Sequence, residues 1–323
     1  MNKISTVVDA HLLDSDATAN AGDITIAADD LSTIDSDTEA AALSVGANSS
    51  NSAAISVGLS LARNEIRNSM VAYADGDDTN RNTLTATKGN LSVSATEQAT
   101  IDATSTASAI SVSLSLNKSK AISGGGASAI NEITGSSNAY LEDINAVATK
   151  DGTVVDTGQI MVDAQYLSTI NAEVAALSVS GSLGINGSAA AAIGFSWAQN
   201  LIGWDGLGTE EKIGVLAYAL NSDLTADNGV ELSSSSNGSI EALVNTTTVA
   251  IGGSAKNALS LTAGGLVTLN KISTDVKAYI DGGTTTSNVT TTGGDVSLTA
   301  LDTSRIKADA QAVSVTASLS GST

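Results

Sequence analysis

Short runs in which apolar residues alternate with small or polar ones recur along the whole chain. Examples are Ile24-Thr25-Ile26-Ala27-Ala28, Leu91-Ser92-Val93-Ser94-Ala95, Ile160-Met161-Val162-Asp163-Ala164 and Val296-Ser297-Leu298-Thr299-Ala300. A period of two predicts strands, and Gly22-Asp23, Gly89-Asn90 and Gly294-Asp295 supply turn residues ahead of three of them. Longer alternating runs follow each short one, such as Ala109-Ile110-Ser111-Val112-Ser113-Leu114-Ser115-Leu116 and Ile55-Ser56-Val57-Gly58-Leu59-Ser60-Leu61. Helical stripes are few, so the class is all-β. The cores are expected to be filled by Val, Ile, Leu and Ala. The Ala, Ser and Gly residues between the large ones are small enough for a second packed face or a flat exposed one.

The strands recur in phase. An Asn-x-Ile step begins at Asn2, Asn64, Asn131, Asn200 and Asn270, and the last four asparagines stand 30 residues after Ile34, Ile101, Ile170 and Ile240. Ile306 begins one more interval. A repeat of about 62–70 residues implies stacked copies of one supersecondary unit rather than a single globular core. The expected units are 1–21 (partial), 22–88, 89–158, 159–228, 229–293 and 294–323 (partial), forming one array over 1–323. The architecture this predicts is an elongated β-solenoid, with stacked long antiparallel β-hairpins as the alternative. Met1-Asn2-Lys3-Ile4-Ser5-Thr6 matches Leu269-Asn270-Lys271-Ile272-Ser273-Thr274, so the chain is expected to start and stop within repeats, as a piece of a longer protein.

Composition sharpens this picture. There is no proline, which cannot donate to a strand ladder, and aromatic residues are only 2% of the chain, so each layer buries little. Cysteine is absent, which excludes disulfides and thiolate metal sites. Fourteen basic and 34 acidic residues give a formal charge of −20, which argues against a nucleic-acid partner. No apolar run approaches the length of a membrane span.

Four sets of residues are candidates for a role. Asn64, Asn131, Asn200 and Asn270 are expected to form an internal ladder of side-chain amides. Tyr73, Tyr140, Tyr218 and Tyr279 recur at one phase, as a stacking column in which the single histidine, His11, takes the same place. Asp75, Asp77 and Asp78, in Asp75-Gly76-Asp77-Asp78, are the best candidates for calcium, as hard oxygen ligands on a turn. Asp29, Asp30, Asp35 and Asp37, and Asp14 with Asp16, are further acidic clusters. Asn200 and Tyr218 are twice as far apart as in the other units, because of an insertion spanning roughly Gly203 to Lys212. That insertion carries Trp204, a candidate contact for a glycan or a neighbouring chain, unless it folds back over Phe195 and Trp197. No nucleophile–base pair, phosphate loop or specific metal-ligand cluster is present, and no other cofactor is expected.

The "SVGLSLARNEI", "ASAINEI" and "NKISTDVKAYID" stretches, with the Gly-Asp and Gly-Asn strand starts, resemble repeats of very large bacterial surface and secreted proteins of the haemagglutinin- and haemolysin-like adhesin type. The resemblance covers nearly the whole chain and implies an exported β-solenoid stalk. The calcium-binding nonapeptide Gly-Gly-x-Gly-x-Asp is absent. The expected function is a non-catalytic structural segment of an extracellular or cell-surface filament or adhesin stalk. Its expected partners are copies of itself, further repeats of a longer chain, or a cell-surface glycan. Alternatives are a glycan- or ice-binding surface and, behind these, a polysaccharide-degrading β-helix enzyme.

Overall fold

The structure is a computed structural model, and it describes residues 1–77, 81–150, 152, 157–206, 208–283 and 286–321. It is all-β, with parallel strands stacked in four repeating sheets. The alternating sequence accounts for this directly: in an extended chain successive side chains point to opposite faces, and with no proline every residue can enter a ladder.

In chain order, sheet I holds Ile24–Asp30, Leu91–Glu97, Gln159–Tyr166, Gly229–Ser236 and Val296–Asp302. Sheet II holds Thr33–Asn48, Thr100–Ser115, Thr169–Gly184, Ser239–Ser254 and Arg305–Ser320. Sheet III opens with Asn2–Leu13 and continues through Asn51–Asp75 and Lys118–Glu142. Its later rungs are split, as Gly187–Ile202 with Ile213–Leu220 and Ala258–Ile272 with Thr274–Asp281. Sheet IV is narrow: Ala17–Ala19, Asn82–Ala86, Ile144–Ala148, Asp223–Ala226 and Val289–Thr291. The chain visits I, II, III and IV in turn and then pairs each strand with its own counterpart one repeat on.

Every ladder between these strands is parallel, so the antiparallel-hairpin alternative does not describe the molecule. The reason lies in the repeat. Each strand's best-matched neighbour is the same segment of the next unit, and that pairing aligns Ile34 with Ile101, Ile170, Ile240 and Ile306. A slip of one residue would turn every side chain to the wrong face.

Two lobes share sheet III. In one, sheets I and IV pack on the second half of sheet III around a continuous apolar core that includes Ile66, Met70, Leu84, Leu91, Val93, Ile133, Leu141 and Ile160. In the other, sheet II packs on the first half of sheet III, and the interior is almost free of large side chains. Its buried clusters are Ala62, Ala107, Ala127, Ala129, Val174, Ala176, Ala198 and Val244, with Ala190, Ala192 and Ala250 nearer the turn. Glycine brings the two sheets to backbone contact. A Cβ on Gly58 would stand 2.6 Å from the Ser108 carbonyl oxygen, and one on Gly125 2.7 Å from that of Leu177. Hydroxyls fill the remaining space: Ser56 Oγ lies 2.8 Å from Ser111 Oγ, Ser123 Oγ 2.7 Å from Ser178 Oγ, and Thr246 Oγ1 donates to Ser196 Oγ at 2.8 Å.

The expected aliphatic core is therefore inverted in this thin lobe. Ile55, Val57, Leu59 and Leu61 point outward, with Leu59 63% exposed, while Ser56, Gly58, Ser60 and Ala62 point in. On sheet II, Leu43, Val45, Ile110 and Leu114 are likewise exposed. The fixed Ile-to-Asn interval of the sequence is this lobe, since Ile34–Asn64 encloses sheet II, its turn and the first half of sheet III. Sheets in backbone contact leave no slack for an inserted residue.

Candidate functional site

The two lobes meet along the asparagine column. Asn2 Nδ2 donates to Asn64 Oδ1, Asn64 to Asn131, Asn131 to Asn200 and Asn200 to Asn270, each at 2.8 Å. Asn270 donates back to Thr268 Oγ1 at 2.9 Å. Asn64, Asn131 and Asn200 are fully buried. Asn64, Asn131 and Asn200 each use one donor and their acceptor on the ladder, so the column closes the seam with polar groups that are satisfied from rung to rung.

On the outer face of the apolar-cored lobe, His11, Tyr73, Tyr140, Tyr218 and Tyr279 form one stack. Successive ring centroids are 5.1, 4.8, 4.7 and 5.1 Å apart, with interplanar angles of 15° or less. Burial, reinforced by the neighbouring Tyr73 and by carboxylates, pushes the Tyr140 hydroxyl up to about 12. Tyr73, Tyr218 and Tyr279 are raised as well, first by burial. These phenols stay neutral over the physiological range.

Of the acidic turn, Asp75 ends its strand and Asp77 follows it, with the Asp77 backbone N–H donating to Asn82 Oδ1 at 3.2 Å. Asp78 lies outside the described residues. Among the described residues no group of three or more His, Asp or Glu side chains converges in a way that could hold a metal ion. The other acidic clusters are pulled apart: Asp30 points inward and accepts from Asn68 Nδ2 at 2.6 Å, whereas Asp35 and Asp37 lie on the outer face of sheet II. Asp16 accepts the Thr83 backbone N–H at 2.7 Å.

The insertion folds back across the outside of sheet III. Gly203 N–H donates to the Ile133 carbonyl and Glu211 N–H to the Gly203 carbonyl, both at 2.9 Å, and Trp204 bridges Glu210 in antiparallel fashion. Among the described residues no ring contact joins Trp204 to Phe195 or Trp197. The Trp204 ring face is taken by the Lys271 ammonium, 4.0 Å from the ring centroid.

Around this loop lies a charge cluster that the sequence reading missed. Glu65 and Glu132 occupy the middle position of the Asn-x-Ile step, on the outward face, yet they are only 5% and 2% exposed. Lys3 Nζ reaches Glu65 at 2.7 Å, Arg67 Nη2 reaches Glu132 at 2.8 Å, and Arg67 Nε also bonds Glu65. Glu211 of the loop stands 3.7 Å from Arg67. The hydrogen bond from Lys3, with Arg67 beside it, holds the Glu65 carboxyl below its usual range against the opposing effect of burial. Burial pushes Glu132 up, with Arg67 opposing. Two stacked carboxylates in adjacent rungs repel, and Arg67 bridges them. With Arg67 on both and the loop on top, they form a closed clamp rather than an acid–base pair open to substrate. A signal was available: the middle residues run Lys3, Glu65, Glu132, Leu201, Lys271, which sets a lysine beside two successive glutamates on one ladder.

A second unanticipated group is inside. Asp30, Glu97, Tyr166, Ser236 and Asp302 are in register along sheet I, and Glu97 is fully buried with neither carboxylate oxygen hydrogen-bonded. Burial, with Asp30 alongside, pushes its pKa well above the ordinary value. It faces protein on every side and has no route to a substrate.

What the described surface does offer is apolar area on the thin lobe. An open recess of about 290 Å³ on its sheet III side is lined by Leu59, Leu61, Gly126, Ser128, Phe195 and Trp197. A larger apolar groove follows the turn between sheets II and III, past Leu114, Leu116, Leu183, Ile185 and Leu319. Comparison with known proteins finds no matching protein family, no similar characterised protein and no similar solved structure.

Proposed function

We propose that the chain is a β-solenoid serving as a rigid, non-catalytic segment of an extracellular bacterial filament or adhesin stalk. The observation that carries this reading is the asparagine ladder, in which the same amide repeats its 2.8 Å bond from rung to rung at the seam of the two lobes. A residue that contacts a ligand is placed once, whereas a residue that carries axial continuity is placed in every rung. The aromatic column and the Ile34–Ile306 column repeat in the same way. In such an array stability comes from neighbour interfaces, and length is added at about 4.8 Å per rung without change of plan.

The acidic, cysteine-free composition supports export to the cell surface. Glu65 and Glu132 are held by Arg67 and Glu97 is enclosed by protein, and both features support a non-catalytic role. Electron microscopy of the chain, and of two copies fused in repeat phase, tests the proposal. Thin rods that lengthen with the fusion at constant width are expected. Compact particles, or loss of viscosity when the chain is incubated with acidic polysaccharides, would overturn it.

A further inference from the structure

The two outer faces of the thin lobe are both apolar but opposite in charge. On the sheet III side, between the turn and the asparagine column, the exposed rows include Ile55, Val57, Leu59, Leu61, Ile193 and Phe195. The charged residues among the described positions of that face are Lys118, Lys120 and Arg63, all basic in a chain of net charge −20. On the sheet II side, Leu43, Val45, Ile110, Leu114, Leu183 and Ile251 are exposed toward the turn. The half of that face farther from the turn carries seven acids, Asp35, Asp37, Glu39, Asp102, Glu173, Glu241 and Asp309, against two basic residues, Arg305 and Lys307, both on the last rung.

We propose that the thin lobe is a self-docking surface, in which the sheet III face of one copy lies on the sheet II face of a second copy. The lysines near the turn of the first copy then sit over the acids of the second. Four rungs about 4.8 Å apart, each about six residues long at roughly 3.3 Å per residue, make each face about 400 Å² in plan. That matches the largest apolar patch of an ordinary monomer, and here it occurs on both sides of one lobe.

The interior of the lobe cannot take these side chains back, because Gly58 and Gly125 already hold the two sheets in backbone contact. The row Ile110, Val112 and Leu114 forms a ridge on sheet II. The sheet III face offers a recess for such a ridge where Gly124 and Gly126 lie between Val57 and Leu59 on one side and Ile193 and Phe195 on the other.

A lipid bilayer fits less well. The turn that would enter first carries Asn48, Ser49, Ser50, Asn51, Asn117, Lys118, Lys256 and Asn257. A lysine is strongly disfavoured in the hydrocarbon of a bilayer. A contact between two different faces does not close on itself, so each copy keeps one face free for the next and the assembly grows sideways.

The test is sedimentation velocity of the 323-residue chain over a wide concentration range, with circular dichroism confirming the fold of each variant. Reversible association is expected, weakening as salt rises. Lys118→Glu with Lys120→Glu should lower the association constant about tenfold, and Asp35→Lys with Asp37→Lys should do likewise. Mixing the two double variants should restore it, because each then offers a face complementary to the other. Leu59→Ser with Leu61→Ser should weaken association at all salt concentrations. A chain that stays monomeric, association indifferent to both charge variants, or a mixture that fails to recover would overturn the proposal. So would binding to phosphatidylcholine vesicles in place of self-association. End-to-end stacking of rungs is distinguishable, because it would survive both charge variants and lengthen the particle instead of widening it.

Discussion

One strand, Lys118–Glu142, crosses both lobes and carries an isoleucine in each. Ile133 is fully buried in the apolar core, whereas Ile122 is 44% exposed on the outside of the thin lobe. Nothing in the local run around either residue distinguishes them, since both alternate with small or polar neighbours. The difference is parity. Ile133 shares its face with Asn131, Ala129 and Ser123, and Ile122 shares its face with Lys120 and Gly124. Opposite Ile133, sheets I and III are held apart by Leu91 and Val93, and the gap takes large side chains. Opposite Ser123 the sheets touch, and only hydroxyls and methyls fit. Alternation specifies a strand, but which of its faces is buried depends on the size of the residues across the gap.

Replacing each isoleucine by alanine is the strongest way to break this comparison. Ile133→Ala removes a fully enclosed side chain and should cost about 2–5 kcal/mol. Ile122→Ala, in the same strand, should stay within about 0.5 kcal/mol. Guanidinium unfolding followed by circular dichroism gives both values, and equal losses would mean that the thin lobe has a core of large side chains after all.

The two lobes also explain what was legible in the sequence. The asparagine spacing, the Ile34 column and the tyrosine phase are periodic over whole units, and the parallel ladders place each set side by side. The outward orientation of Leu59 and Leu61 departs from the expected aliphatic core, although parity contains it. Asn64 and Ile66 share one face of an unbroken strand, Asn51–Asp75, so Leu61 must point the other way once Ile66 is inside. Alternation within one run leaves the buried face open, and only its continuation through the Asn-x-Ile step fixes it. The clamp of Glu65, Arg67 and Glu132 was hidden for a different reason. It forms between rungs and beneath an insertion, and such proximity exists only once the register is known.

Within the thin lobe, Gly125→Val tests whether the sheets truly meet. The new Cβ would sit 2.7 Å from the Leu177 carbonyl oxygen, a backbone atom that cannot move aside. Forcing the sheets apart should cost about 1–3 kcal/mol by the same unfolding measurement. Gly124→Ala, one residue along on the outer face, meets only Val57 Cγ2 at 3.9 Å and should be tolerated. If both are tolerated, the gap between sheets II and III is wider than the close approach implies.

The apolar-cored lobe has its own sensitive point in Glu97. Its folded pKa lies above its unfolded one, so between the two values the unfolded chain binds fewer protons than the native one. Its contribution is therefore fully present below the unfolded pKa, near 4.3, and is lost as pH rises toward the folded value. Over that window wild type should lose stability relative to Glu97→Gln by at most about 1.4 kcal/mol per pH unit, one proton's worth. Measuring both chains across pH 4–8 isolates this group from Glu65, whose lowered pKa acts in the opposite direction. Parallel curves would show that Glu97 is ionised in the native state.

The outer faces give the smallest effect. On the thin lobe they are aliphatic, and on the apolar-cored lobe the corresponding ribbon is the aromatic stack. Tyr279 closes that stack with a single neighbour, Tyr218, at 5.1 Å. Tyr279→Leu keeps the bulk but removes one ring pair, for an expected loss of about 0.5–1.5 kcal/mol. It also removes a neighbour that helps raise Tyr218, so the Tyr218 phenol should ionise at lower pH in an ultraviolet titration. A stability loss without that movement would assign Tyr279 to packing alone. Movement of the titration without a stability loss would mean that the stack sets the electrostatics of this face and contributes little to holding the rungs together.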